Sequence, residues 1–166
     1  MTDKPRKGFR GFIYGLAMGA VFFGPIGFAG GIYVLPILIA EDGLDQTQLS
    51  ELSQSVVRRG VFKRDLPGSD AFHWGEGTVM INEQQIWLDG AISPGPDYRL
   101  YLVPRFVDTE ESFKAIKAQA VHIGRIKTFE NFAVPLPAGV NGADYAAVVV
   151  WCERFNEFIT AALLEN

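Results

Sequence analysis

From Gly11 to Ala40 the chain runs for thirty residues without a single charged side chain. Nothing else in the sequence restricts the fold so firmly. A helix crossing a bilayer needs about 20 apolar residues, and two crossings would need at least about 34. The run therefore predicts one tilted or extended transmembrane helix, ending near Pro36. A cleaved signal peptide is the rival reading, but its apolar region is typically about 7–15 residues and ends on small residues. Here Leu38-Ile39-Ala40 puts bulky side chains at that point, so an uncleaved anchor is expected.

The flanking charges orient it. Lys4, Arg6, Lys7 and Arg10 precede the run, and no Lys or Arg lies between Glu41 and Val57. Cations stay on the cytoplasmic side. Residues 1–10 are then a cytoplasmic N-terminus, residues 11–40 an anchor in the bilayer, and everything beyond lies outside: in a bacterium, at the inner membrane and in the periplasm. Gly11, Gly15 and Gly19, and again Gly27 and Gly31, recur at every fourth position. Such spacing permits close helix pairing, hence a helix-mediated homodimer, although glycine is also simply common in membrane helices.

Residues 41–59 read as a polar stalk. Leu44, Leu49, Leu52 and Val56 fall at roughly helical spacing, which predicts a short amphipathic helix packed on the following domain. Residues 60–166 form that domain. Runs rich in β-formers at Gly60–Arg64, Phe72–Asn82, Gln84–Leu88 and Tyr98–Val103 are separated by Pro67-Gly68, Asn82-Glu83 and Pro94-Gly95-Pro96-Asp97. Asp108 stands as an N-cap, three residues before Glu111, ahead of a short helical insertion through Ala120. Strand signals resume at Val121–Ile126, Asn131–Leu136, Tyr145–Cys152 and Phe155–Leu163. About eight short strands and one small helix predict a mainly β fold, an antiparallel sandwich or barrel.

The densest β-branched stretch is Val148-Val149-Val150-Trp151-Cys152. Ala146, Val148, Val150 and Cys152 share one face, and Ala147, Val149 and Trp151 the other. A strand apolar on both faces is covered on both faces, so this one belongs in a sheet interior.

Charge and motif content exclude several functions. The net charge of −4 carries no cluster of Lys and Arg, which argues against nucleic acid. There is no phosphate-cradling loop, no nucleophilic serine elbow and no cysteine pair. What remains is Cys152, the one cysteine. In an oxidising compartment a lone thiol is sealed in the core, paired between chains, metal-bound or redox-active. Reactivity would need a nearby cation to favour the thiolate, and Arg154, two residues on, is the nearest candidate. His73 is the second ligand to consider if copper or haem iron is bound, and His122 is the other histidine. The plain alternatives are a buried structural cysteine and a hydrogen-bonded loop histidine.

Several phrases in the C-terminal two-thirds carry a resemblance. They are Gly60-Val61-Phe62; His73 with Gly77-Thr78-Val79; Gly95-Pro96-Asp97-Tyr98 with Tyr101-Leu102; and Gly124-Arg125-Ile126-Lys127. Pro135-Leu136-Pro137, Tyr145, the Val148–Cys152 run and Phe155 complete the set. From Gly60 to Leu164 the chain resembles the DM-thirteen domain, found alone in bacteria and beside DOMON domains in animals. The resemblance implies a small β domain acting in electron transfer through one cysteine, here Cys152, with a redox partner protein. Two departures concern loops: the segment between Lys127 and Pro135 lacks the expected glycine-rich turn, and Asp108–Ala120 adds length. The alternative is a non-catalytic binding or envelope-scaffold domain with a buried cysteine.

Overall fold

The computed structural model describes residues 7–165. Helix α1, Lys7–Leu38, contains Pro25 and Pro36 and is long and apolar enough to cross a membrane. It does not stop at Pro36. The helical hydrogen bond from Ile39 N–H to the Leu35 carbonyl, at 3.2 Å, carries it two residues further, to Leu38. Proline removes its own donor and crowds the carbonyl four residues back, but neither touches the Ile39–Leu35 bond, and the Pro36 ring itself is buried.

The chain then passes directly onto the β domain. Glu41 N–H donates to the Lys127 carbonyl (3.0 Å), Leu44 N–H to the Asn131 carbonyl (2.9 Å), and Lys127 pairs with Glu41 at 2.7 Å. Glu41 and Leu44 thus tie this stretch to the domain. Helix α2, Gln46–Ser53, opens with a reciprocal cap: Asp45 accepts from Gln48 N–H, and Gln48 accepts from Asp45 N–H. Its Leu49, with Leu44, Leu52 and Val56, packs on Met80 and Trp87, as the spacing predicts.

The domain is a sandwich of two antiparallel four-stranded sheets, eight strands among the described residues. One sheet, in the order β1-β2-β3-β6, comprises Arg58–Phe62, Gly75–Ile81, Gln85–Ile92 and Ala133–Pro135. The other, β5-β4-β7-β8, comprises Val121–Arg125, Tyr98–Val103, Ala147–Cys152 and Glu157–Leu163. Between them lies the main core, in which Val79, Ile86 and Leu88 meet Leu100, Val148, Val150 and Ile159. The outer face of the second sheet is also covered: Phe113 and Ile116 of the inserted segment lie on Val149, Trp151 and Phe158. Every residue of β7 is consequently buried, its odd and even positions facing different cores.

Boundaries shift where loops claim the chain. Helix α3, Glu110–Lys114, is capped by Thr109 with Ser112 at the reciprocal position, not by Asp108 and Glu111. The Asp108 carbonyl is taken by Gly68 N–H at 2.8 Å, which holds that residue in the preceding loop. β2 starts at Gly75 rather than Phe72, because Asp70 folds 70–73 into a turn of its own. Phe155 falls outside β8, in a turn that Asn156 closes with a φ of 60°.

Candidate functional site

Cys152 is the last residue of β7, in register with Tyr98 of β4 and Glu157 of β8. Two loops meet over this end of the sheet, residues 93–97 and the turn 153–156, tied together by a hydrogen bond from Glu153 N–H to the Asp97 carbonyl (3.0 Å). Asp97 also holds Arg99 at 3.0 Å and Arg125 at 3.4 Å, so the cations of this region are engaged by a carboxylate rather than by sulfur.

Tyr98 is buried, and its hydroxyl donates to the Pro94 carbonyl at 3.1 Å with Ser93 Oγ at 3.4 Å. Gly95 makes this possible, since a Cβ there would overlap the Tyr98 ring. Burial pushes the phenol well above its ordinary pKa.

The thiol itself is 2 % exposed. Burial raises its pKa; the backbone amides of Phe155, Arg154 and Asp97 pull it partly back, and the Asp97 charge pushes it up again. Near neutral pH it is therefore a protonated thiol. Arg154 is exposed in the turn after β7, where strand alternation has ended, and what it brings to sulfur is its amide.

His73 comes to the same cavity as Cys152. Both line one pocket of about 320 Å³ between the domain and α1, together with Tyr33, Phe72, Tyr98 and Phe155. Asp70 positions the histidine: Oδ1 accepts from the N–H groups of Phe72 (2.7 Å) and His73 (2.8 Å), while Oδ2 lies 2.9 Å from His73 Nδ1. Desolvation opposes ionisation of Asp70, but these hydrogen bonds outweigh it and hold the carboxyl below its usual range. A carboxylate only accepts, so Nδ1 carries a proton toward Asp70 and Nε2 is the nitrogen left free to meet other groups.

The donor set does not suit a copper centre of the two-histidine, one-cysteine kind. Among the described residues no three His, Cys, Asp or Glu side chains gather closely enough to hold a metal ion. His122 lies beside Tyr101, a residue of the outer core, on the opposite face of the sheet from Cys152. One axial ligand would be enough for haem, but a pocket of about 320 Å³ sits at the small end of ligand sites and has room for a ring, not a porphyrin.

Sequence reasoning had singled out Cys152 and His73 but not the aromatic lining or Asp70. The one local signal for the latter was the Asp70-x-x-His73 spacing of a side-chain-capped turn. The family model described as electron transfer DM13 matches residues 66–164, more than half of the chain, and the chain belongs to that family. No curated protein and no solved structure matches it significantly.

Proposed function

We propose that this member of the electron transfer DM13 family is a membrane-anchored module that passes electrons through Cys152 to a partner reaching the pocket beside it. In this reading α1 crosses the inner membrane, the four cations before it stay cytoplasmic, and the β domain is periplasmic or otherwise extracytoplasmic. The observation that supports the proposal is the pocket, whose lining includes both Cys152 and an imidazole oriented by Asp70.

The chemistry follows from the un-ionised thiol. Removing an electron from a neutral S–H makes its proton strongly acidic, so electron and proton leave together and a base must stand ready. His73 Nε2 is the free acceptor among the lining groups, and Asp70 stabilises the imidazolium that results. Arg154 has no thiolate to stabilise in this scheme, and its amide serves only to position the sulfur.

The every-fourth-residue spacing of Gly11, Gly15 and Gly19 along α1 is the feature that would let two copies pair in the bilayer. A second reading, a binding or scaffold domain with a structural cysteine, is favoured by the near-complete burial of the thiol.

Native alkylation separates the two. With the full chain in detergent, the redox reading expects iodoacetamide to reach Cys152 through the pocket, at a rate that climbs only above the ordinary thiol pKa of about 8.5. A thiol that reacts solely after denaturation supports the structural reading. Resistance of the full chain to alkaline extraction from membranes checks the anchor.

A further inference from the structure

Where the bilayer surface meets the β domain can be read from α1. From Gly11, the first residue past the cations, about 20 helical residues at roughly 1.5 Å each span a hydrocarbon core of about 30 Å, which brings the outer boundary to Gly30. The helix continues to Leu38, and the backbone is bonded to the domain by Glu41, so the domain has no spacer to lift it from the membrane. Ala29, Ile32 and Tyr33, at that boundary, form one wall of the Cys152 pocket.

The opposite rim fits the same placement. Phe72 is 65 % exposed and Phe155 49 % exposed, and Phe72 packs edge-on against Tyr33 with ring centroids 6.4 Å apart. Tyr33 is the kind of ring that a membrane–water interface selects, and lipid there would cover the exposed Phe72 and Phe155. The pocket is otherwise walled by Pro94, Pro96 and Tyr98, and among its described lining residues there is no Lys or Arg. A phosphate-bearing nucleotide cofactor would have no cation to hold it. A flat, uncharged ring lies well between aromatic faces, and a carbonyl on its edge accepts from His73 Nε2–H once that nitrogen has taken the Cys152 proton.

Resting on the reading of α1 as a membrane span, we propose that the Cys152 pocket opens at the outer-leaflet interface and binds a lipid-soluble quinone-class compound drawn from the bilayer. The ring seats between Tyr33, Phe72 and Phe155, and the hydrocarbon tail stays in the lipid along α1. The class combines an apolar body, a carbonyl edge and electron-carrying capacity, the three properties that the lining, His73 and the family description each require.

The test uses the full chain in lipid nanodiscs, titrated with a decyl-substituted benzoquinone while tryptophan fluorescence is followed. Quenching is expected to saturate, and Phe72→Ala and Phe155→Ala to weaken the apparent affinity about tenfold, with melting temperatures unchanged because both rings are exposed. Cys152→Ser is expected to keep quinone binding. Linear quenching identical in all variants would mean partition into lipid alone and would overturn the proposal. Equal binding of a sulfonated, water-soluble benzoquinone would overturn the lipid source. Failure of the electron-transfer role shows separately: a Cys152→Ser protein that retains redox activity contradicts that role and leaves the quinone seat standing.

Discussion

Tyr98 and Cys152 face each other across the β4–β7 ladder, both buried and both lining one pocket. Burial raises the pKa of each, so the end of the ladder presents a phenol and a thiol that keep their protons at neutral pH. A thiolate site would need the reverse: solvent or cations near sulfur. Here Asp97 engages the neighbouring arginines, and its own charge works against ionisation of the thiol.

Gly95 is the residue on which this arrangement is most sensitive. Gly95→Ala puts a methyl group where the Tyr98 ring lies, and the ring has to leave its place beside Cys152. The expected cost is roughly 1–3 kcal/mol, the usual range for overpacking. Denaturant melts read the cost, and a faster native alkylation of Cys152 reads the displaced ring. A variant with wild-type stability and wild-type alkylation would mean that the loop has room to spare.

Val150 tests the sheet interior. It is fully buried in the main core, with Leu100 and Thr160 as ladder neighbours. Val150→Ala should cost about 1–3 kcal/mol through lost burial and the cavity left behind. A loss below about 0.5 kcal/mol would place β7 at the periphery.

Glu157, the other ladder neighbour of Cys152, gives a pH-dependent prediction. Burial and the adjacent Glu110 raise its pKa in the folded protein, with His73 and Lys114 opposing. A raised folded pKa means stability that is present below the unfolded value and lost as pH rises through the folded one. At neutral pH the native state therefore carries an unfavourable carboxylate. Glu157→Gln should raise the melting temperature by a few degrees at pH 7, and the gain should shrink toward pH 4. A gain that is the same at both values would show that the charge is not its origin.

The architecture was legible in the sequence wherever burial is two-sided or strictly alternating. Val148–Cys152 announced its interior place because neither face carries a charge before Glu153. The α2 stripe was equally plain, since Leu49 and Leu52 have nowhere apolar to go but the domain. Asp108 and Thr109 are both good caps by type, and a tertiary bond from Gly68 decided between them. The expectation for Arg154 assumed that the strand runs past Cys152. The turn set by Asn156 ends it there, and sequence alternation cannot report that. The pocket was least legible of all. Tyr33, Phe72, Tyr98 and Phe155 come from four separate segments, and only the docking of α1 on the domain brings them together.

The central claim is that Cys152 is the electron-carrying group, and film voltammetry of the full chain on a lipid-coated electrode addresses it most directly. The wild-type protein should give one redox wave. With the displaced proton held by His73, its potential should vary by much less than the ~59 mV per pH unit of a one-electron step that releases a proton to solvent. Cys152→Ser, with an unchanged melting temperature, should give no wave. A wave that survives in Cys152→Ser, or none in the wild type, would contradict the account.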